Sequence, residues 1–164
     1  MFEHFDHANQ LFEYQLGAAL TMEHDSLEML QEFEAAARSV EVRGLFAHHQ
    51  DETRHQIRNL EDAFGILGIK PSGSPSATTK GLMKEGRAML AKTGEQLTDL
   101  VAVNAALGTE HFEISAYESL VIAAEAMGAT DVERLLRENL EQERHTSEEL
   151  GAAARRLAPA AAGV

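Results

Sequence analysis

The chain has 164 residues and a formal net charge of −13 at pH 7, from 14 basic and 27 acidic residues. Phosphate binding needs Lys and Arg to displace counterions, so this balance argues against nucleic acid and an anionic membrane surface, and is compatible with cation binding. No cysteine is present, which excludes disulfides, thiolate metal sites, iron–sulfur clusters and cysteine nucleophiles.

The length suits one domain with a proper core, expected over residues 1–157. Hydrophobic residues make up 44% and aromatics 5%, with no Trp, so the core is built mainly from Leu, Ala, Val, Ile and Met, a composition that favours helices. Of the 27 acids, 21 are Glu, a good helix former, and the plain reading of the charge is solvated helix surface. No N-terminal apolar stretch has the form of a signal peptide, and no run approaches about 18 apolar residues, so a cytosolic protein is expected.

In chain order, apolar residues recur at spacings of three and four, the helical signature. A first helix is expected from about Ala8 to Arg38, with the stripe Leu16, Leu20, Glu23, Leu27, Leu30, Ala37. Ser39 is an N-cap for a second helix from about Val40 to Leu67, with the stripe Leu45, His49, Glu52, Gln56, Leu60, Ala63, Leu67. Gly68 and Pro71 stop it. "GIKPSGSPSATTKG" (Gly68 to Gly81) reads as a crossover loop, because neither half of the chain could cover its apolar faces alone. A short helix follows near Leu82 to Ala91, and a third long helix from about Glu95 to Met127, ended by Gly128. Thr130 to Glu133 has the capping-box pattern that starts a fourth, reaching about Leu157. The last residues, "APAAAGV", read as a frayed tail over 158–164. The expected fold is all-α: a ferritin-like four-helix bundle of two hairpins joined by a crossover carrying a short extra helix.

Each long helix carries Glu where its stripe asks for Leu: Glu23, Glu52, Glu110 with Glu113, and Glu143. An unpaired buried carboxylate is very costly, so such groups are neutralised, paired or bound to metal. A Glu-His pair occurs in "TMEHDSLEML" and again, 87 residues later, in "GTEHFEISAY". "ETRH" ends at His55 and "QERH" at His145, at matching places on the second and fourth helices. His55 follows Glu52 by three residues and His145 lies one turn from Glu141, so each His has a carboxylate on its own face. Alone, these spacings mean little: with eight His and 21 Glu in the chain, about one Glu-x-x-His arises by chance, and a rotation of one residue returns any single Glu to the surface. Together they match the carboxylate-bridged dinuclear sites of bundles, which take Glu from two helices and Glu-x-x-His from the other two. Such oxygen and nitrogen ligands suit iron or manganese. The candidate ligands are Glu23, Glu52, His55, Glu110, Glu113, Glu143 and His145, with Glu141 and His49 as secondary candidates. Tyr117 lies two turns beyond Glu110 on the same face, where it is a core aromatic or a group that hydrogen-bonds to the site or is oxidised by it.

The chain resembles the ferritin-like stress-protein family typified by YciF over about Leu11 to Leu157. The resemblance rests on Leu11-Phe12, Glu23, "HHQDET" and "LEDAFGILG" in the second helix, "TEHFEISAY" in the third and "LLRENLEQE" in the fourth. The wider superfamily includes rubrerythrins, whose helices carry in turn Glu, Glu-x-x-His, Glu-x-x-Glu and Glu-x-x-His. That resemblance maps Glu23, Glu52-x-x-His55 and Glu110-x-x-Glu113 onto the first three elements. The fourth is Gln142-x-x-His145, which departs from the pattern, because Gln neither carries the charge nor bridges as a carboxylate does. Glu143 or Glu141 substitutes for it, or the site holds one metal, or none. YciF-type sequences usually lack His at the positions of His55 and His145, and carry more acids early in the first helix, where this chain has Gln15 and Ala18.

Two functions follow as expectations. In the first, two iron or manganese ions handle peroxide, oxygen or iron in a stress response. Lacking Cys, such a peroxidase needs an external electron donor, whereas a manganese catalase needs none. In the second, the protein is a non-enzymatic stress protein whose inward polar groups form a metal-free network fixing helix register. A homodimer is expected in either case, from the usual behaviour of such bundles.

Overall fold

The computed structural model describes residues 4–161. Five α-helices follow in order: α1 (Ala8–Ala36), α2 (Val40–Ile66), α3 (Ala77–Leu90), α4 (Thr98–Ala126) and α5 (Thr130–Ala161), with one 3-10 turn at Glu95–Leu97 before α4. No helix among the described residues is long and apolar enough to cross a membrane.

The ends of the helices are set by local chemistry. Gln10 Oε1 accepts the backbone N–H groups of Asp6 and His7 and fixes the start of α1. Ser39 Oγ accepts the Val42 N–H at 3.2 Å and caps α2. Beyond α2 and α4, Gly68 and Gly128 take φ of 73° and 68°. The Ile69 and Ala129 N–H groups reach back to the Phe64 and Ala124 carbonyls, which closes both helices in the six-to-one pattern that requires left-handed backbone.

α1 and α2 form one antiparallel hairpin and α4 and α5 the other; α1 packs on α4 and α2 on α5. The crossover runs along α1, where a Cβ on Gly17 would meet the Ser72 carbonyl at 2.6 Å. α3 continues along α1, with Thr79 donating to Asp25 at 3.1 Å and Arg87 bonded to Glu28 and Glu32. It returns the chain to the far end before α4 begins, so all neighbouring long helices are antiparallel. There Asp99 of α4 accepts the N–H groups of Arg38 and Ser39, at 2.6 and 2.9 Å, and ties the second hairpin to the turn of the first.

Two boundaries differ from expectation. α3 starts at Ala77, not Leu82, because burial of Thr79 and Met83 against the bundle overrides the weak helix propensity of Thr and Gly. α5 continues past Leu157 through Pro159 to Ala161, carried by alanines. The part of the expected tail at residues 162–164 lies outside the described residues.

The core is divided. One apolar cluster contains Phe12, Leu16, Leu20, Leu60, Phe64, Leu120 and Leu136. The other contains Leu30, Phe33, Val42, Phe46, Val103 and Leu150. Each such side chain contributes about 1.5–3 kcal/mol when fully buried. Between the two clusters along every long helix falls a run of buried polar residues: Glu23 and Ser26, His49 and Thr53, Glu110 and Glu113, Glu143 and Thr146.

Candidate metal centre

The polar layer is built from the inward stripes. Phe46, His49, Thr53, Gln56 and Leu60 are all buried on α2, and Leu136, Asn139, Glu143 and Leu150 on α5. Glu23, Glu110, Glu113, Glu143 and His49 are each at most 2% exposed. One nitrogen or oxygen atom from each of His49, Glu110 and Glu143 lies within 4.8 Å of the other two. The nearest approach of His49 to Glu110 is 3.2 Å, from Nε2 to Oε1. That contact does not have hydrogen-bond geometry, since Glu110 Oε1 has no hydrogen-bond partner.

No Lys or Arg is paired with any of these carboxyl groups among the ion pairs of the described residues. Burial, reinforced by neighbouring carboxyls, therefore sets their protonation. Glu23 is raised well above the ordinary carboxyl range by burial and then by Glu143 and Glu113. Glu110 is raised by burial and then Glu113, and Glu143 by burial and then Glu110. Burial pushes Glu113 up to about 7, against the neighbouring Ser26 hydroxyl and Glu110 carboxyl, which lower it. His49 goes the other way, down to about 3, through burial and then His48, so it is a neutral imidazole. A neutral imidazole and acid groups that touch one another need either shared protons or a cation between them.

Unsatisfied atoms gather on the residues of this layer. Both oxygens of Glu110, both of Glu143, one of Glu113, the Ser26 hydroxyl and His49 Nδ1 are buried without hydrogen-bond partners. Native proteins pair nearly all such groups, and this concentration in one layer marks a place for a ligand. Carboxylates and an imidazole form a hard-to-borderline donor set of the kind that holds iron or manganese, so the residues present fit such an ion.

Glu23 has a neighbour on its far side. The Tyr117 hydroxyl donates to Glu23 Oε1 through a short hydrogen bond. Asn139 Nδ2 donates to the Tyr117 oxygen at 3.0 Å and to the Gln56 carbonyl at 3.2 Å. Asn59 Nδ2 donates to Asn139 Oδ1 at 2.8 Å and lies 3.4 Å from His55 Nε2. Tyr117 is fully buried, and its own ionisation is raised by burial and then by Glu23 and Glu143, so it stays a donor.

The structure thus brings together Glu23, Glu110, Glu113, Glu143, His49 and Tyr117. Glu52 stands at the edge, 16% exposed, where Oε2 accepts the Thr146 hydroxyl at 3.0 Å and Oε1 lies 3.6 Å from His48. His55 is placed outside the layer, 38% exposed, with Nε2 at 2.8 Å from Glu138. His145 is 64% exposed beside Glu149, and Glu141 is exposed. The cause is helical rotation. At about 100° per residue, His145 lies roughly 200° round α5 from Glu143, and His55 roughly 120° round α2 from His49. Ser26, Thr146, Asn59 and Asn139 were not singled out in the sequence. Their signal was polar residues at stripe positions, as in Asn139 four before Glu143.

The sequence profile of a family described as a domain of unknown function (DUF892) matches residues 7–163. The chain belongs to that family. The chain is 25% identical over 138 residues to Protein YciF of Escherichia coli, covering 83% of each. The solved structure of YcfI from Rhodopseudomonas palustris matches with a TM-score of 0.87 at 28% identity, over 92% of this chain and 98% of that one. The E. coli stress protein YciF matches with a TM-score of 0.89 at 24% identity, over 94% and 98%. A ferritin-like, diiron-carboxylate protein from Bacillus anthracis matches with a TM-score of 0.72 at 17% identity, over 92% and 99%, a likeness of fold. The ferritin-like bundle of this DUF892 chain is thereby established.

Proposed function

We propose that the buried layer is a dinuclear centre for iron or manganese, serving peroxide, oxygen or iron handling in a stress response. One observation carries this: four buried carboxyl groups and a neutral imidazole, from all four long helices, share a space with no Lys or Arg partner and with unpartnered oxygens. The fold neighbour from B. anthracis is described as diiron-carboxylate, so this fold is compatible with such a centre. Iron or manganese bound there would supply redox chemistry toward peroxide or oxygen.

The chain's own residues do the rest. Glu23, Glu110, Glu113, Glu143 and His49 supply ligand atoms, with Glu52 at the rim. The apolar clusters on either side keep bulk water from the layer and strengthen its electrostatics. Tyr117, braced by Asn139, holds Glu23 in one orientation and can keep a proton at its oxygen. No cysteine is available as an internal reductant, so a peroxidase would draw electrons from another molecule.

The metal-free alternative has one observation in its favour: the Glu110, Glu113 and Glu143 carboxyls lie close enough to share protons. Elemental mass spectrometry separates the readings, on protein purified without added metal and again after anaerobic Fe(II) or Mn(II). Near two ions per chain, lost in Glu110→Gln, is the expected result. No metal under any loading would overturn the dinuclear reading and leave the proton-sharing bundle.

A further inference from the structure

The two ends of the carboxylate layer are not alike. Among the described residues one group of three ligands is assembled closely enough for a single ion: His49, Glu110 and Glu143. It contains the layer's single imidazole, and both Glu110 oxygens, both Glu143 oxygens and His49 Nδ1 are free of hydrogen bonds. Its ligand atoms are gathered before any ion enters. The other end offers Glu23 and Glu113. Glu23 Oε1 is held by Tyr117, which Asn139 holds in turn, and Glu113 lies beside Ser26 and Glu110. Glu143 lies beside both Glu110 and Glu23. Among the described residues no histidine groups with Glu23 and Glu113, and His55 and His145 face Glu138 and Glu149 instead.

Resting on the metal reading above, we propose that the two positions are unequal. The His49–Glu110–Glu143 position is preformed, fills first and takes borderline ions such as Co(II) or Fe(II). The Glu23–Glu113 position is all-oxygen, fills second and weakly, and prefers a harder ion such as Mn(II), with Glu143 serving both. Imidazole favours the later first-row metals, whereas carboxylates alone suit manganese and magnesium. Preorganisation adds to the difference, because the three ligand atoms of His49, Glu110 and Glu143 are already gathered around one point.

The test is anaerobic Co(II) titration of the metal-free full chain, followed by visible absorption and by elemental analysis after equilibrium dialysis. Two steps at least tenfold apart in affinity are expected. Protein given one equivalent of Co(II) and then Mn(II) should retain one of each. Glu113→Gln should keep the first Co(II) and its visible bands and lose the second. His49→Leu should lose the first step; if that variant does not fold, Glu113→Gln decides. Two equal steps, or loss of both ions in Glu113→Gln, would overturn the inequality while leaving a metal centre. Failure of the wild-type chain to bind Co(II), Fe(II) or Mn(II) would overturn the metal reading itself.

Discussion

Raising the pH of the metal-free protein from about 5 to 7.5 should loosen it, a direction opposite to ordinary acid denaturation. A buried carboxyl whose folded value is raised keeps a proton that the unfolded chain has already released. Its contribution to stability is complete below the unfolded value of 4.5 and is lost as the pH climbs through the folded value. For Glu113, the rise from 4.5 to about 7 corresponds to roughly 3 kcal/mol. At 2–4 °C per kcal/mol for a chain of this size, Tm should fall by about 6–12 °C across that window. Glu23, Glu110 and Glu143 are raised further and act in the same direction. Thermal unfolding in a chelator at fixed ionic strength measures this. Glu113→Gln should flatten the slope, which separates the buried group from the general effect of net charge. Metal should reverse the slope, because binding releases those protons. A Tm that stays level or rises from pH 5 to 7.5 in the chelated protein would refute the reasoning.

Asp99 behaves oppositely. Burial raises its carboxyl, but the Arg38 and Ser39 N–H donors outweigh that and hold it below the usual range. Asp99→Ala should cost about 2–3 kcal/mol by urea unfolding at pH 7, for two charge-assisted hydrogen bonds at a partly wet site. The difference between variant and wild type should vanish as the pH falls through the lowered Asp99 value. Tyr117→Phe, which strips Glu23 and Asn139 of a shared partner, should lower metal affinity about tenfold by dialysis and cost about 1–2 kcal/mol in the metal-free protein. His55→Ala and His145→Ala should leave metal content unchanged, whereas His49→Leu should not. Gly68→Ala, forced into φ of 73°, should lose about 1–2 kcal/mol by thermal unfolding.

The helices, the hairpin pairing and the inward direction of Glu23, Glu110, Glu113 and Glu143 were legible because apolar spacing fixes which side of each helix turns in. Which histidine of α2 supplies the layer's imidazole was not. Glu52 has a His three residues before it and another three residues after it, and a three-residue spacing is satisfied equally in both directions. What chooses is the rotation of α2 about its axis, set by Phe46, Thr53, Gln56 and Leu60 packing inward. That rotation buries His49 and leaves His55 beside Glu138. The early start of α3 was hidden for a related reason: Thr79 becomes helical because α1 gives it somewhere to be buried. A composition rich in Thr and Gly carries no trace of that surface.

The ligand layer is divided evenly between the hairpins. Glu23, His49 and Glu52 come from the first, and Glu110, Glu113 and Glu143 from the second. Neither hairpin alone can assemble the set, and packing within each hairpin is heavier than packing between them. Docking of the two halves is therefore the step that pushes the acids together. That step has to take up protons or an ion as it proceeds. The order of events during folding would then depend on what the solution supplies: at low pH the halves close on protons, and at neutral pH an ion bridges them. Refolding at neutral pH should accelerate when Mn(II) or Fe(II) is present from the start, and added metal should leave formation of the separate hairpins unchanged.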